Sequence, residues 1–343
     1  MMPIENRDWS SLLDAIHDTL RDVSTIPPKG TNRTQANNRR TFDTELGKAI
    51  ALSFNPAMTD DELWQKINVI PFYAGVVPPR KKKMDAARAV MSDYRRLAQP
   101  GWIDTPEAVA YIADKDSYWN KLESKGPRIV KAATKLYHRQ NERGTSLAEL
   151  VVPKRYQNWS PDSITSIWRN MRTEVGFGRI TTYHAMMELG IPVVKPDRML
   201  VRTVVRLGLI NAYGDPLSRA ARNFIPLEID SEEALKLGQN EAFVSELQPI
   251  MHQASEASGK SIREVDWLFA KMGMTSTLEE GRELVICDDK PRCYLCLAQQ
   301  HCEYGQKNHP RKASEDPVFR KARKSKSRRL KPRAIKSPEV IAI

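Results

Sequence analysis

Residues 176–209 read GFGRITTYHAMMELGIPVVKPDRMLVRTVVRLGL, and the fold turns on this stretch. Gly176-Phe177-Gly178 stands between two segments of helical period, which predicts a tight hairpin from one helix into the next. Such a hairpin turns backbone N–H groups outward at the start of the second helix and makes a seat for an anionic oxygen. Gly-x-Gly alone is short, and it reads equally as an αα corner without a ligand. About twenty residues on, a single acid, Asp197, precedes another apolar helix. An aspartate there can serve as an N-cap, and the helix N-terminus favours its ionised form.

Outward from this stretch the chain reads as nearly all helix. Residues 8–22 place Trp9, Leu12, Leu13, Ile16 and Leu20 at helical spacing, and Pro27-Pro28-Lys29-Gly30 stops that helix. The polar TNRTQANNRR (31–40) is expected to be a loop, with a helix over 42–54. Asp60-Asp61-Glu62 opens a helix holding Leu63, Trp64 and Ile67. The apolar PFYAGVV (71–77) follows, and then Arg80-Lys81-Lys82-Lys83, which is either a solvated helix entrance or a phosphate contact. Thr105-Pro106-Glu107 starts another helix. Residues 124–142 form an amphipathic helix with Ile129, Val130, Ala133, Leu136 and Tyr137 on one face. The helix DSITSIWRNMR (162–172) enters the hairpin. Beyond residue 210, helices are expected from Asp230/Ser231 to Leu247 and after the capping pattern Ser261 to Glu264. Strand signals are scarce.

Composition bounds the function. The formal charge is +12, but residues 305–343 carry 13 Lys/Arg and 3 Asp/Glu, so +10 of it belongs to the tail and +2 to residues 1–304. A nucleic-acid surface on the body must therefore be local. The basic tail reads as low-complexity and disordered, and as a salt-sensitive DNA tether, a nuclear-import signal or a solvated tail. No apolar run reaches the ~18 residues of a membrane span, and the first residues lack a secretory layout. A chain in the cytoplasm or nucleoid, or in the nucleus of a eukaryote, is expected, without a membrane partner and as a monomer.

All four cysteines, Cys287, Cys293, Cys296 and Cys302, lie within sixteen residues, spaced C-x5-C-x2-C-x5-C. Scattered disulfides do not cluster this way. A four-cysteine zinc site usually draws two knuckles from separated segments, whereas an iron–sulfur cluster accepts one continuous loop. Spacing alone leaves both open and favours the cluster.

VKPDRMLVRTVVRLGL (194–209) resembles the segment that carries the essential aspartate of the helix-hairpin-helix DNA glycosylase superfamily. Asp197 is followed by Arg202 and Arg206-Leu207-Gly208, in the places of that family's Arg and Arg-Leu. VGFGRITT (175–182) resembles its Gly-Val-Gly-Arg-Lys-Thr-Ala hairpin, and SKGPRIVKAATKLYHRQN and TPEAVAYIAD resemble the two preceding helices. Lys290-Pro291-Arg292-Cys293, Cys296 and Cys302-Glu303-Tyr304 look like the iron–sulfur loop of endonuclease III and its adenine-glycosylase relatives, one residue shorter in the first gap. The likeness spans roughly 60–305 and is strongest at 176–209 and 287–304.

The resemblance implies an all-α, two-domain fold. Its parts are N-terminal helices 1–55 packed on a cluster domain 211–304, a six-helix hairpin domain 56–210, and the tail 305–343. It implies a DNA glycosylase that flips a damaged, mismatched or modified base from double-stranded DNA and excises it. Asp197 then stabilises the positive charge that develops on the sugar. Gly176, Phe177, Gly178, Arg179 and Ile180 grip a phosphate, and Lys290 and Arg292 lie against DNA. The four cysteines hold a structural [4Fe–4S] cluster in preference to zinc. Leu122 is the candidate wedge, and Phe72 and Tyr73 are candidate pocket walls. Members that also cut the strand carry a Schiff-base lysine after Gly-x-Gly-Arg. Ile180 stands there, so base removal without strand cleavage is expected. Lys195, near Asp197, is the substitute amine for a lyase. A non-catalytic DNA-binding protein of this fold is the reading from another class.

Overall fold

The computed structural model describes residues 7–24, 35–68, 70, 81–113, 126–144, 146, 148–149, 159–214, 222–274 and 286–308. Leu122, Phe72 and Tyr73, the rest of PFYAGVV and the tail from 309 onward lie outside the described residues. The chain is mostly helical. In order it forms α1 (Trp9–Ser24), α2 (Gln35–Ile50), α3 (Asp60–Ile67), α4 (Lys81–Met91), α5 (Tyr94–Leu97), α6 (Pro106–Ala113), α7 (Gly126–Arg143), α8 (Pro161–Asn170), α9 (Arg179–Glu188) and α10 (Arg198–Arg206). A two-stranded antiparallel ribbon, β1 (Ala212–Gly214) and β2 (Arg222–Phe224), pairs Tyr213 with Asn223. Then come α11 (Ser231–Gly238), α12 (Glu241–Ser258), α13 (Ile262–Gly273), 3-10 turns at Cys293–Leu295 and Leu297–His301, and α14 (Glu303–Asn308). Among the described residues no helix is long and apolar enough to cross a membrane.

Three elements depart from the sequence expectation. Helix α2 begins at Gln35, so part of the polar 31–40 run is helical; its burial is carried further on by Phe42 and Leu46. The basic Lys81–Lys83 forms the first turn of α4 rather than preceding it. The helix expected over 230–247 is two helices, because Asn240 caps a second start by accepting from Phe243 N–H at 3.2 Å.

Two cores organise these helices. The first gathers Leu63, Trp64 and Ile67 of α3, Ile129, Ala133 and Leu136 of α7, Ile167 and Trp168 of α8, and Ala185 to Met187 of α9. Val130 and Tyr137, expected on the buried face of α7, pack half-buried at its rim. Asp60 is a buried carboxylate in this core. It is satisfied by Gln140 Nε2 at 2.6 Å, Ser146 Oγ at 2.8 Å and Ala148 N–H at 2.7 Å, as a buried charge requires.

The second core joins α1 and α2 to described helices after residue 193, through Leu12, Leu13, Ile16, Phe42, Leu46, Val201, Val204, Val205, Phe243, Leu247, Leu268 and Phe269. Burying each such side chain is worth roughly 1.5–3 kcal/mol relative to exposure. The sequence expectation placed a boundary at 210; the cores divide between Val193 and Val194, so α10 lies wholly in the second. Every residue of α10 from Leu200 to Arg206 is buried, its two arginines included.

Candidate functional site

The hairpin begins with a widened turn. Helix α8 passes into a π-helical segment, Met171–Val175, which ends at Gly176 in the left-handed region (φ 80°). A side chain there is strained by backbone conformation alone. Gly178 differs: its φ is −68° and a β-carbon would have no neighbour within 4 Å. Among the described residues no neighbour crowds position 178, and its face is open to an approaching group. Gly178 provides no side-chain cap, and the first N–H groups of α9 have no intrahelical acceptor. We therefore expect Gly178→Ala to lose about 0.5–1 kcal/mol, because alanine is a poorer N-cap than glycine. Gly176→Ala is expected to lose about 1 kcal/mol of stability. Thermal melts check the pair.

The other hairpin residues are placed differently from expectation. Phe177 is 6 % exposed and belongs to the first core. Ile180 is half-buried. The Arg179 guanidinium donates to Gln239 O at 2.6 Å and pairs with Glu241 at 3.5 Å, bracing the hairpin against the corner between α11 and α12.

That same corner holds the Asp197 turn. A β-carbon on Gly238 would come within 2.0 Å of Pro196 O, so only glycine allows α11 to approach so closely. Residues 238–239 thus touch the hairpin on one side and the turn before Asp197 on the other. Asp197 caps α10: its Oδ1 accepts from Met199 N–H at 3.0 Å and Leu200 N–H at 3.1 Å. Its Oδ2 lies 3.2 Å from Lys195 Nζ, and the two side chains are 21 % and 24 % exposed. His184 on α9 lies 3.7 Å from Glu188. Burial, helped by the Lys195 and Arg263 cations, holds its imidazole well below the usual histidine range, so it is neutral at pH 7.

Helix α10 links this turn to the cysteines. Arg202 donates to Cys287 O at 2.9 Å, Ser231 Oγ at 2.6 Å, Asp289 Oδ1 at 2.7 Å and Gly273 O at 3.3 Å. Arg206 donates to Asp288 O and to Ile229 O, reaches Cys287 Sγ at 3.6 Å and lies over the Tyr304 ring at 5.0 Å. Arg7, just before α1, donates to Leu207 O at 3.1 Å and His301 O at 3.2 Å, tying the start of the described chain to the cysteine loop.

The four cysteines line one cavity, with Ile16, Leu207, Met272 and Ile286 as apolar wall and Arg206 and Tyr304 beside them. Among the described residues, no three His, Cys, Asp or Glu side chains converge on one point as ligands of a single ion; the thiols surround a space instead. Burial pushes Cys293 up to about 11 and Cys302 up to about 12, and raises Cys296 as well, with neighbouring cysteines adding to each. Such thiols ionise at neutral pH only with a bound cation, and binding then releases protons. Gly305 N–H donates to Cys302 Sγ at 3.3 Å, a contact that favours thiolate. The donor set and its apolar enclosure fit a [4Fe–4S] cluster held by Cys287, Cys293, Cys296 and Cys302. Lys290 is exposed and Arg292 half-buried on the same loop.

The sequence reading missed Asp266, Gln248 and Gly238, which grip the Asp197 turn, and the loop-fastening role of Arg202 and Arg206. Asp266 carried one signal: it is an acid within the buried stripe Val265, Leu268, Phe269 and Met272. Comparisons with protein-family models, curated proteins and solved structures give no match.

Proposed function

We propose that this chain is a DNA glycosylase of the helix-hairpin-helix type, which excises a damaged, mismatched or modified base from double-stranded DNA and leaves an abasic site. The observation that carries this reading is the shared corner. Residues 238–239 contact Arg179 of the hairpin and Pro196 of the Asp197 turn, so one corner ties the start of α9 to the turn that carries a partly exposed carboxylate. A phosphate seated at Gly176–Ile180 positions the strand, and a nucleotide turned out of the stack meets Asp197. The C1′–N bond breaks with its electron pair leaving on the base. Asp197, held by two N–H groups through Oδ1, stabilises the charge on the sugar. Water adds at C1′, and its proton balances the departing base.

A [4Fe–4S] cluster on the four cysteines supplies structure to the loop carrying Lys290 and Arg292. Ile180 has no amine to capture the sugar, and Lys195 is held in its ion pair with Asp197. Base removal without strand cleavage follows.

The test is single-turnover incubation with duplexes bearing oxidised, deaminated, alkylated, mismatched and hypermodified bases. Release of at least one base, strand cleavage only after alkali and no borohydride-trapped adduct are expected. A trapped adduct makes the enzyme a lyase, with loss of the adduct in Lys195→Ala assigning the amine, and no release from any duplex favours a DNA-binding role.

A further inference from the structure

A second carboxylate lies behind the Asp197 turn. Asp266 of α13 is 6 % exposed and accepts Lys195 N–H at 2.8 Å. The turn closes on itself, with Asp197 N–H donating to Lys195 O at 2.7 Å. Gln248 of α12 grips the residue before it twice: its Oε1 accepts Val194 N–H at 3.0 Å and its Nε2 donates to Val194 O at 2.8 Å. Three helices thus meet the backbone of residues 194–196, through Gln248, Asp266 and Gly238.

Of these groups only Asp266 is ionisable, and an asparagine could accept the same N–H with no charge to bury. Its charged neighbours are Arg263 on its own helix and Lys195 and Asp197 on the turn. Through Arg263 it is linked to Glu188 of α9, 2.8 Å from Arg263 and near the neutral His184. Burial pushes the Asp266 carboxyl up to about 7 and Asp197 adds to the rise, while Arg263, the Lys195 N–H and the Lys195 charge oppose it. Asp266 therefore changes charge near neutral pH, beside the candidate catalytic group.

We propose that Asp266 is a positioning residue for Asp197: its carboxylate holds the Lys195–Asp197 turn in place and deepens the negative potential that Asp197 presents to the sugar. The proposal rests on the glycosylase reading. Its signature is a trade of stability for function. The folded value lies above the ordinary 3.8, so ionising Asp266 costs stability progressively as pH rises from about 4 to about 7. Asp266→Asn removes that cost and keeps an acceptor for Lys195 N–H. Its melting temperature above pH 7 is therefore expected to equal or exceed the wild type's.

The experiment uses the full, cluster-loaded chain and two duplexes that need no knowledge of the base. One carries a quaternary pyrrolidinium ring in place of the abasic sugar, a mimic of the cationic transition state whose charge is fixed at every pH. The other carries a neutral tetrahydrofuran ring. The wild type's preference for the cation is expected to grow roughly tenfold between pH 5.5 and 8.5, the scale of one nearby, partly screened charge. Asp266→Asn is expected to show a flat preference, roughly tenfold lower at pH 8.5. A flat wild-type profile overturns the proposal without any variant, as does an Asp266→Asn profile that tracks the wild type. Asp197→Asn separates the two readings. If it discriminates the cation as well as the wild type does, or if the wild type binds neither duplex, the glycosylase reading falls. If Asp197→Asn loses the preference while Asp266→Asn keeps it, only the role of Asp266 falls.

Discussion

Asp197→Asn is expected to slow base release by about 10²–10³-fold, the scale of losing one preorganised electrostatic partner of a developing charge, while the variant folds and binds the same duplex. The substitution isolates charge from structure. Asparagine is as good an N-cap as aspartate, so its side-chain oxygen can keep the bonds from Met199 and Leu200 N–H. What is lost is the negative charge toward the sugar and the 3.2 Å pair with Lys195; a partly exposed pair of that kind is worth about 0–1 kcal/mol. Asp197→Ala, which also removes the cap, is expected to lose roughly a further 1 kcal/mol of stability. Single-turnover base release, duplex affinity and a thermal melt, measured together, decide the matter. An Asp197→Asn enzyme as fast as the wild type would reduce Asp197 to a cap.

Arg202→Ala is the largest structural loss we expect. The side chain is 2 % exposed and fastens α10 to the cysteine loop, α11 and the end of α13 at once. Truncation leaves Cys287 O and Gly273 O without this donor and deprives Asp289 of its cationic partner. Losing a charged donor costs about 1–3 kcal/mol for each of these two carbonyls, while the pair with Asp289, 60 % exposed, adds about 0–1 kcal/mol; the total corresponds to a fall in melting temperature of roughly 4–25 °C. Iron content and the broad visible absorbance of the cluster are expected to fall with it, because the cysteine loop loses its tie to α10. Arg202→Lys is no rescue, since one ammonium cannot reproduce a planar fork of donors. A loaded, brown, wild-type-stable Arg202→Ala protein contradicts this role, and zinc in place of iron in the purified wild type would replace the cofactor.

The sequence made the local features legible because their partners lie within a few positions. The Ser261 cap of α13 and the Asp197 cap of α10 are bonds between residues two or three apart. The buried face of α7 follows directly from the spacing of Ile129, Ala133 and Leu136. The same rule explains the failures. A polar run such as 35–40 carries little helical signal of its own, and Phe177 looks like any exposed hairpin residue until the first core closes over it.

For the candidate site, sequence by itself determined the parts: a glycine hairpin, a capping aspartate before an apolar helix, two arginines four residues apart on that helix, and four clustered cysteines. Tertiary structure alone decided how they meet. Arg179 reaches Gln239 across 60 positions, Lys195 reaches Asp266 across 71, and Arg202 reaches Cys287 across 85. The physical reason is range. Helix caps and periodicity act through backbone geometry a few residues wide. A buried guanidinium or carboxylate takes whichever partner the packed core brings within hydrogen-bonding distance, and that choice exists only once the second core has closed around α10.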